Sequence, residues 1–115
     1  MTSASDLLSR LEKAVSDEEA RLPLSEAFRL ALSPDMPDYL RASDLLSGDP
    51  AGWIGIGVLM MPKGFLWRVV NGASGIEATV QSPPGTAATP AWRHEEAIAQ
   101  RPDCALVLAT LNAGG

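Results

Sequence analysis

Residues 51–82 constrain the fold of this chain more than any other stretch. They read Ala-Gly-Trp-Ile-Gly-Ile-Gly-Val-Leu-Met-Met-Pro-Lys-Gly-Phe-Leu-Trp-Arg-Val-Val-Asn-Gly-Ala-Ser-Gly-Ile-Glu-Ala-Thr-Val-Gln-Ser. Apolar, aromatic and β-branched runs alternate with glycine, proline and asparagine, the pattern of consecutive strands joined by turns. Three strands are predicted. The first covers 54–61, where Gly55 and Gly57 mark a bulge or a close backbone contact. Pro62-Lys63-Gly64 turns the chain into the second, 65–70, rich in aromatic and β-branched residues. Asn71-Gly72 and Gly75 supply the next turn, read as a longer loop. The third strand, 76–81, alternates Ile76, Ala78 and Val80 with Glu77, Thr79 and Gln81, so one face is buried and one is wet.

Helix-patterned sequence lies on both sides of this block. Over 5–16, Leu7, Leu8, Leu11 and Val15 share a helical face, with Ser3 or Ser5 as cap. Residues 17–21 continue this helix or leave it. Pro23 suits the first turn of a second helix, whose apolar face is Leu24, Ala27, Phe28, Ala31 and Leu32 and which Ser33-Pro34 stops. A short third helix covers 39–46 and ends at Ser47-Gly48. Beyond the sheet, Thr89-Pro90 opens a helix over 90–100. Pro102 interrupts it, and Cys104, Val107, Leu108 and Leu111 form a second apolar face, so 86–113 is one kinked helix or two short ones. The fold class is α+β: one domain, 1–115, with an acidic helical part over 1–50 and a β-meander over 51–82. A three-stranded antiparallel sheet is packed between N-terminal and C-terminal helices.

A chain of 115 residues, 46% hydrophobic and 20% charged, suits one globular domain. No apolar run reaches the roughly 18–20 residues of a membrane span, and the start lacks the pattern of a secretion signal. With Cys104 as the single cysteine, a cytoplasmic protein without a membrane partner is expected. The net charge of −5 is unevenly placed: residues 1–50 hold ten Asp/Glu against five Lys/Arg, and residues 51–115 hold four of each. Free nucleic acid is therefore not an expected partner, whereas a basic protein surface is an allowed one. Asp17-Glu18-Glu19 is the densest acidic run, and a solvated helix face that aids solubility is the favoured reading of it.

Each candidate for chemistry has a plainer reading. His94-Glu95-Glu96 lacks the second histidine of a zincin, and helical neighbours point about 100° apart, so a solvated helix face is the reading. Cys104 lies on an apolar stripe and reads as a small buried hydrophobe. Gly52, Gly55, Gly57 and Gly64 are not followed by the Lys-Ser/Thr of a phosphate loop. Asp35, Asp38, Asp44 and Asp49 do not follow the rhythm of a calcium loop and suit turns and caps. Gly114-Gly115 reads as a chain end, because folds with an activated diglycine tail open with a β-hairpin and this one opens with helices. No catalytic residue, cofactor or metal is assigned. Phe65, Trp67 and Val69 share the core face of their strand, while Leu66, Arg68 and Val70 point away. Helices on both faces would cover those three; without that cover they form an interaction patch. The candidate partner-binding residues are therefore Leu66, Arg68 and Val70, with Trp53, Asp17, Glu18 and Glu19.

Four segments together resemble the small phage and prophage proteins grouped as the phage ABA sandwich domain. Leu7-Leu8-Ser9-Arg10-Leu11-Glu12-Lys13-Ala14 resembles the family's opening helix. Tyr39-Leu40-Arg41-Ala42-Ser43-Asp44-Leu45 resembles its tyrosine-led segment, with Tyr39, Ser43 and Asp44 in matching places. Pro62-Lys63-Gly64-Phe65-Leu66-Trp67-Arg68-Val69 is similar to its Pro-Glu-Gly-Trp strand, and Thr89-Pro90-Ala91 to the start of its last helix. The chain departs from the pattern at 46–61, which reads as an insertion, and at 92–103. The resemblance implies helix–sheet–helix layering and a phage or prophage origin, and it implies no catalytic residues. The expected function is that of a non-enzymatic accessory protein that binds another protein, with inhibition of a bacterial defence system as one form. The alternatives are a small-ligand binding domain or minor enzyme near Trp53 and the glycines, and a structural component of a virion or homo-oligomer.

Overall fold

The computed structural model describes residues 4–82 and 94–113. In chain order these form α1 (Ala4–Lys13), α2 (Asp17–Ala31), α3 (Pro37–Ser47), a single 3₁₀ turn (Pro50–Gly52) and α4 (Ile54–Met60). Then come β1 (Leu66–Gly72), β2 (Gly75–Gln81), β3 (His94–Ala99) and α5 (Pro102–Asn112). The class is the expected one: a three-stranded antiparallel sheet, ordered β1-β2-β3, flanked by helices from both halves of the chain. Three expectations fall outside the described residues: the helix start at Thr89-Pro90 together with Trp92, the Ser3 cap, and the diglycine end.

The sheet is not the meander expected over 51–82. The first expected strand, 54–61, is helix α4. Trp53, Ile56, Gly57 and Met60 are its buried side, spaced i, i+3, i+4, i+7, which is a helical period. Ile, Val and Gly favour other conformations, but burying that stripe against α5 outweighs their preference. Gly57 makes the contact close, since a Cβ there would lie 2.9 Å from Leu106 Cγ.

The third strand comes from the other side of the chain. Residues 94–99, expected to be helical, form β3 and pair with β2 in the register Ile76↔Ala99, Ala78↔Ala97, Thr79↔Glu96. The Glu and Ala content favours helix, yet Ala97 and Ala99 are buried while Glu96 and Ile98 are exposed, a period of two. Pro102 does not kink a helix. It starts α5 at the first helical position, and Arg101 before it is extended at φ −132°, ψ 144°.

Two smaller corrections concern turns. α2 begins at Asp17, not at Pro23. Ser16 caps it and Glu19 returns the bond to the Ser16 N–H, a complete capping box, so Pro23 lies inside the helix. The β1–β2 connection is a tight two-residue loop, Ala73-Ser74, between the paired Gly72 and Gly75. Gly75 has φ 141° and passes so near β3 that a Cβ would lie 2.9 Å from the Ala99 carbonyl oxygen, which explains the glycine.

α5 is the centre of the molecule. Every residue from Asp103 to Thr110 is buried, as expected of a helix that is apolar all round. The sheet lies against it through Ala78, Val80, Ala97 and Ala99, and α4, α1 and α2 pack around it. The Thr110 hydroxyl is satisfied by donating to the Leu106 carbonyl at 2.8 Å.

The two α4 glycines should respond differently to substitution. Gly57→Val has to displace Leu106, which is fully buried, and is expected to cost about 1–3 kcal/mol. A methyl at Gly55 meets only the Leu45 Cδ1 tip at 3.0 Å, so Gly55→Ala is expected to be near neutral. Urea unfolding of the two variants checks the difference.

Candidate functional site

The sequence grouped seven residues as a partner-binding set, and the structure separates them into two places. Trp53 and Asp17 belong to a junction around Arg101, and Glu18 and Glu19 lie on the first turn of α2 beside it. The Arg101 guanidinium grips Asp103 with two bonds, Nε to Oδ1 at 3.0 Å and NH2 to Oδ2 at 2.8 Å. Its NH1 donates to Asp17 Oδ1 at 2.7 Å and to the Val15 carbonyl at 3.3 Å. It also lies over the Trp53 indole at 5.6 Å, and Arg21 does the same at 5.1 Å. The Arg101 side chain is only 12% exposed and Asp103 6%. The Asp103 bond, opposed by burial and helped by Asp17, raises the guanidinium pKa and keeps it charged.

Trp53 is fully buried, so its place in the expected contact surface is corrected. Its indole N–H has no acceptor among the described residues. Glu19 is spent on the capping box. Backbone N–H groups of Ser16 and Val15, then the Ser16 hydroxyl, hold its pKa below the ordinary 4.5. Glu18 is exposed on the same turn.

Leu66, Arg68 and Val70 remain together and at the surface. On β1 they alternate with Phe65 and Val69, which pack against the core; Trp67, in phase with those two, is still 43% exposed at the sheet edge. Leu66 is 60% exposed and Val70 38%, and Ile98 on β3 joins them at 42%. The expected covering of this face by a helix is therefore not met among the described residues. A concavity of about 560 Å³ reaches this face, lined by sheet residues that include Arg68, Val70, Glu96 and Ile98 and by Leu8 and Glu12 of α1 and Leu108 and Asn112 of α5.

A second surface lies beside the glycines near Trp53, where a ligand site is one of the alternatives. Between α3 and α4 runs an open groove of about 900 Å³, whose floor and walls include Leu45, Gly52, Gly55, Val58 and Leu59. Glycines at 52 and 55 leave out the side chains that would fill it, and Leu45 leans into the space they vacate. Asp44 and Asp49 stand at its margin. Asp49 caps the 3₁₀ turn through the Ala51 N–H, whereas Asp44 is exposed and makes no ion pair or hydrogen bond among the described residues. Reading 54–61 as a strand hid this groove. The i, i+3, i+4, i+7 spacing of Trp53, Ile56, Gly57 and Met60 was the signal that would have found it.

The remaining candidates have structural explanations. Cys104 is buried in α5; burial first, and Asp103 beside it, push its thiol pKa up, which makes it a poor nucleophile. The glycines of 52–57 admit Leu45 and Leu106 and form no phosphate loop. Among the described residues no His, Cys, Asp and Glu gather into a metal-binding group, and no helix is long and apolar enough to cross a membrane.

Breaking the junction should cost far more than a surface ion pair. Arg101→Ala leaves Asp103 buried and unpaired and is expected to lose about 3–5 kcal/mol in urea unfolding. Arg101→Lys should not recover it, because an ammonium cannot form the two-pronged grip. Glu19 gives a pH signature. A carboxylate with a lowered pKa stabilises the fold above 4.5 and loses that contribution as pH falls through its folded value. Glu19→Gln is expected to flatten that part of the stability curve, followed by urea unfolding between about pH 7 and about pH 3.

No protein-family model matches this chain, and neither a curated protein sequence nor a solved structure matches it.

Proposed function

We propose that this chain is a non-enzymatic accessory protein that acts by binding another protein, and that the α3–α4 groove is where the partner docks. The groove carries the reading. It is mostly apolar, with Leu45 packed against the glycines at 52 and 55 as one wall, and Asp44 at its edge is an exposed anion without an ion pair among the described residues. Those features suit an amphipathic helix that lays Leu-like side chains along Leu45, Val58 and Leu59 and sets a Lys or Arg against Asp44. The partner is then basic at that point, in keeping with the net charge of −5.

The resemblance of four segments to the phage ABA sandwich proteins supports a phage or prophage origin and a bacterial cytoplasm as the place of action. Inhibition of a defence system is the specific form proposed. One wall of the groove, from Gly48 to Leu59, lies in the stretch 46–61 where the chain departs from that family pattern, while Asp44 and Leu45 lie in the segment that resembles it. Absence of chemistry is part of the proposal, supported by the sealed environment of Cys104.

The test is affinity capture from bacterial lysate with the wild-type chain and three exposed-site variants. A specific partner is expected with the wild type and with Arg68→Glu, on the sheet face. It should be lost with Asp44→Lys and with Val58→Glu, each of which keeps a folded circular dichroism spectrum. No specific partner, or one that both groove variants retain, overturns the proposal.

A further inference from the structure

β1 is an open edge of the sheet: among the described residues it pairs with β2 alone. Natural edge strands are kept from further pairing by being short, or by a lysine, a proline or a bulge. β1 has none of these. It is seven residues long, Leu-Trp-Arg-Val-Val-Asn-Gly, and its register with β2 is unbroken. Its exposed apolar side chains lie on both of its faces, Leu66 and Val70 on one and Trp67 on the other. The direction of its backbone groups fixes how a further strand can join. Gly72 and Gly75 face each other across a two-residue loop, so they are a hydrogen-bonded pair. Alternation then turns the N–H and C=O groups of Leu66, Arg68 and Val70 toward β2, and those of Trp67, Val69 and Asn71 toward the open edge.

We propose that β1 pairs edge to edge with β1 of a second copy, joining two sheets into one in a two-fold homodimer. An axis through Val69, perpendicular to the sheet, satisfies all the outward groups at once. Val69 pairs with Val69, and Trp67 pairs with Asn71 on either side of it, each pair exchanging both hydrogen bonds. The charges agree with that register, which sets Arg68 of the second copy opposite Val70. Glu77 is the neighbour of Val70 on β2, and its side chain leans over Gly72, where a Cβ would lie 2.5 Å from the Glu77 Cδ. The glycine thus lets this carboxylate reach toward the open edge, away from Arg68 of its own chain. Arg68 and Glu77 make no hydrogen bond or ion pair among the described residues. The arriving Arg68 lies one diagonal from Gly72, within reach of the carboxylate held there, and symmetry makes the contact twice. An axis through Arg68 would instead set Arg68 against Arg68.

Size sets the strength. One strand edge, about 3.4 Å per residue and about 10 Å thick, buries roughly 250 Å² per copy, well under the ~800 Å² per partner of a stable dimer, so the dimer is weak. It stands apart from groove binding, and either can fail without the other.

Sedimentation velocity over a concentration series up to about 1 mM, read together with hydrogen exchange, is the test. The wild type is expected to self-associate, and the amides of Trp67, Val69 and Asn71 should gain protection as the concentration rises. Asn71→Pro removes an outward N–H, spares the ladder to β2 and should abolish the dimer. Arg68→Glu sets a second carboxylate beside Glu77 and should raise the dissociation constant at least about tenfold. Ile98→Ser, on the opposite edge strand, should leave it unchanged. Circular dichroism checks that each variant is folded; if Asn71→Pro is not, Arg68→Glu decides alone. A wild type that stays monomeric up to about 1 mM overturns the proposal and leaves the edge to an extended segment of a foreign protein. So does a dimer that folded Asn71→Pro retains, one indifferent to Arg68→Glu, one that Ile98→Ser weakens as much, or one whose amides at 67, 69 and 71 stay unprotected.

Discussion

Arg101 ties its own end of the chain to two parts that are far away in sequence, residues 15–17 and Trp53. It closes on Asp103 at the start of α5, on Asp17 at the start of α2, on the Val15 carbonyl between α1 and α2, and on the Trp53 ring ahead of α4. None of these contacts would be worth much alone in water. Here the guanidinium is nearly covered and Asp103 is buried with it, so that carboxylate has lost its water and depends on the pair, while Asp17 stays exposed. Asp103 also accepts the Cys104 N–H at 2.7 Å, which ties the pair into the first turn of α5. The junction therefore sets where α5 begins and which way it points.

α5 in turn decides what the rest can do. A helix buried on all sides needs neighbours that come close. The chain supplies Ala78, Ala97 and Ala99 on the sheet, and Gly57 on α4 facing Leu106. Once that helix is enclosed, the outer surfaces of the two layers are what remain for binding. On one side this is the sheet face of Leu66, Arg68 and Val70, on the other the groove between α3 and α4. Neither surface shares a residue with the Arg101 junction, so substitutions at either one can probe binding without loosening the frame.

The parts of the fold that were legible in the sequence were those where local preference and tertiary context agree. Strands 65–70 and 76–81 carry β-formers in alternation and flank turns with Gly64 and Gly75 at positive φ. The amphipathic helices of the first 47 residues show their period openly. The two misread segments are those where the two conflict. In 54–60, β-branched residues and glycines are held helical by a stripe that α5 covers. In 94–99, strong helix formers are held extended by pairing with β2. The groove was lost with the first error, since its walls exist only if 54–60 is a helix. That Leu66, Arg68 and Val70 share one side of β1 follows from alternation along the strand alone, whereas the expected helix over that side depends on tertiary packing and is not met among the described residues.

The acidic half of the chain takes on a different meaning once its partners are known. Of ten carboxylates in residues 1–50, Asp6 and Glu26 face Arg10, Asp38 faces Arg41 and Asp17 faces Arg101. Glu19 and Asp49 cap the α2 and 3₁₀ starts. Those six are engaged within the molecule, which leaves Glu12, Glu18, Asp35 and Asp44. Within the densest acidic run, Asp17 pairs with Arg101 and Glu19 closes the α2 cap, so the run is not a free row of anions. Asp44 is different, because it is exposed beside an apolar groove where a single charge can orient a ligand. Under the proposed function, the attraction for a basic partner would therefore move from the start of α2 to the edge of α3, where Asp44 stands beside the groove.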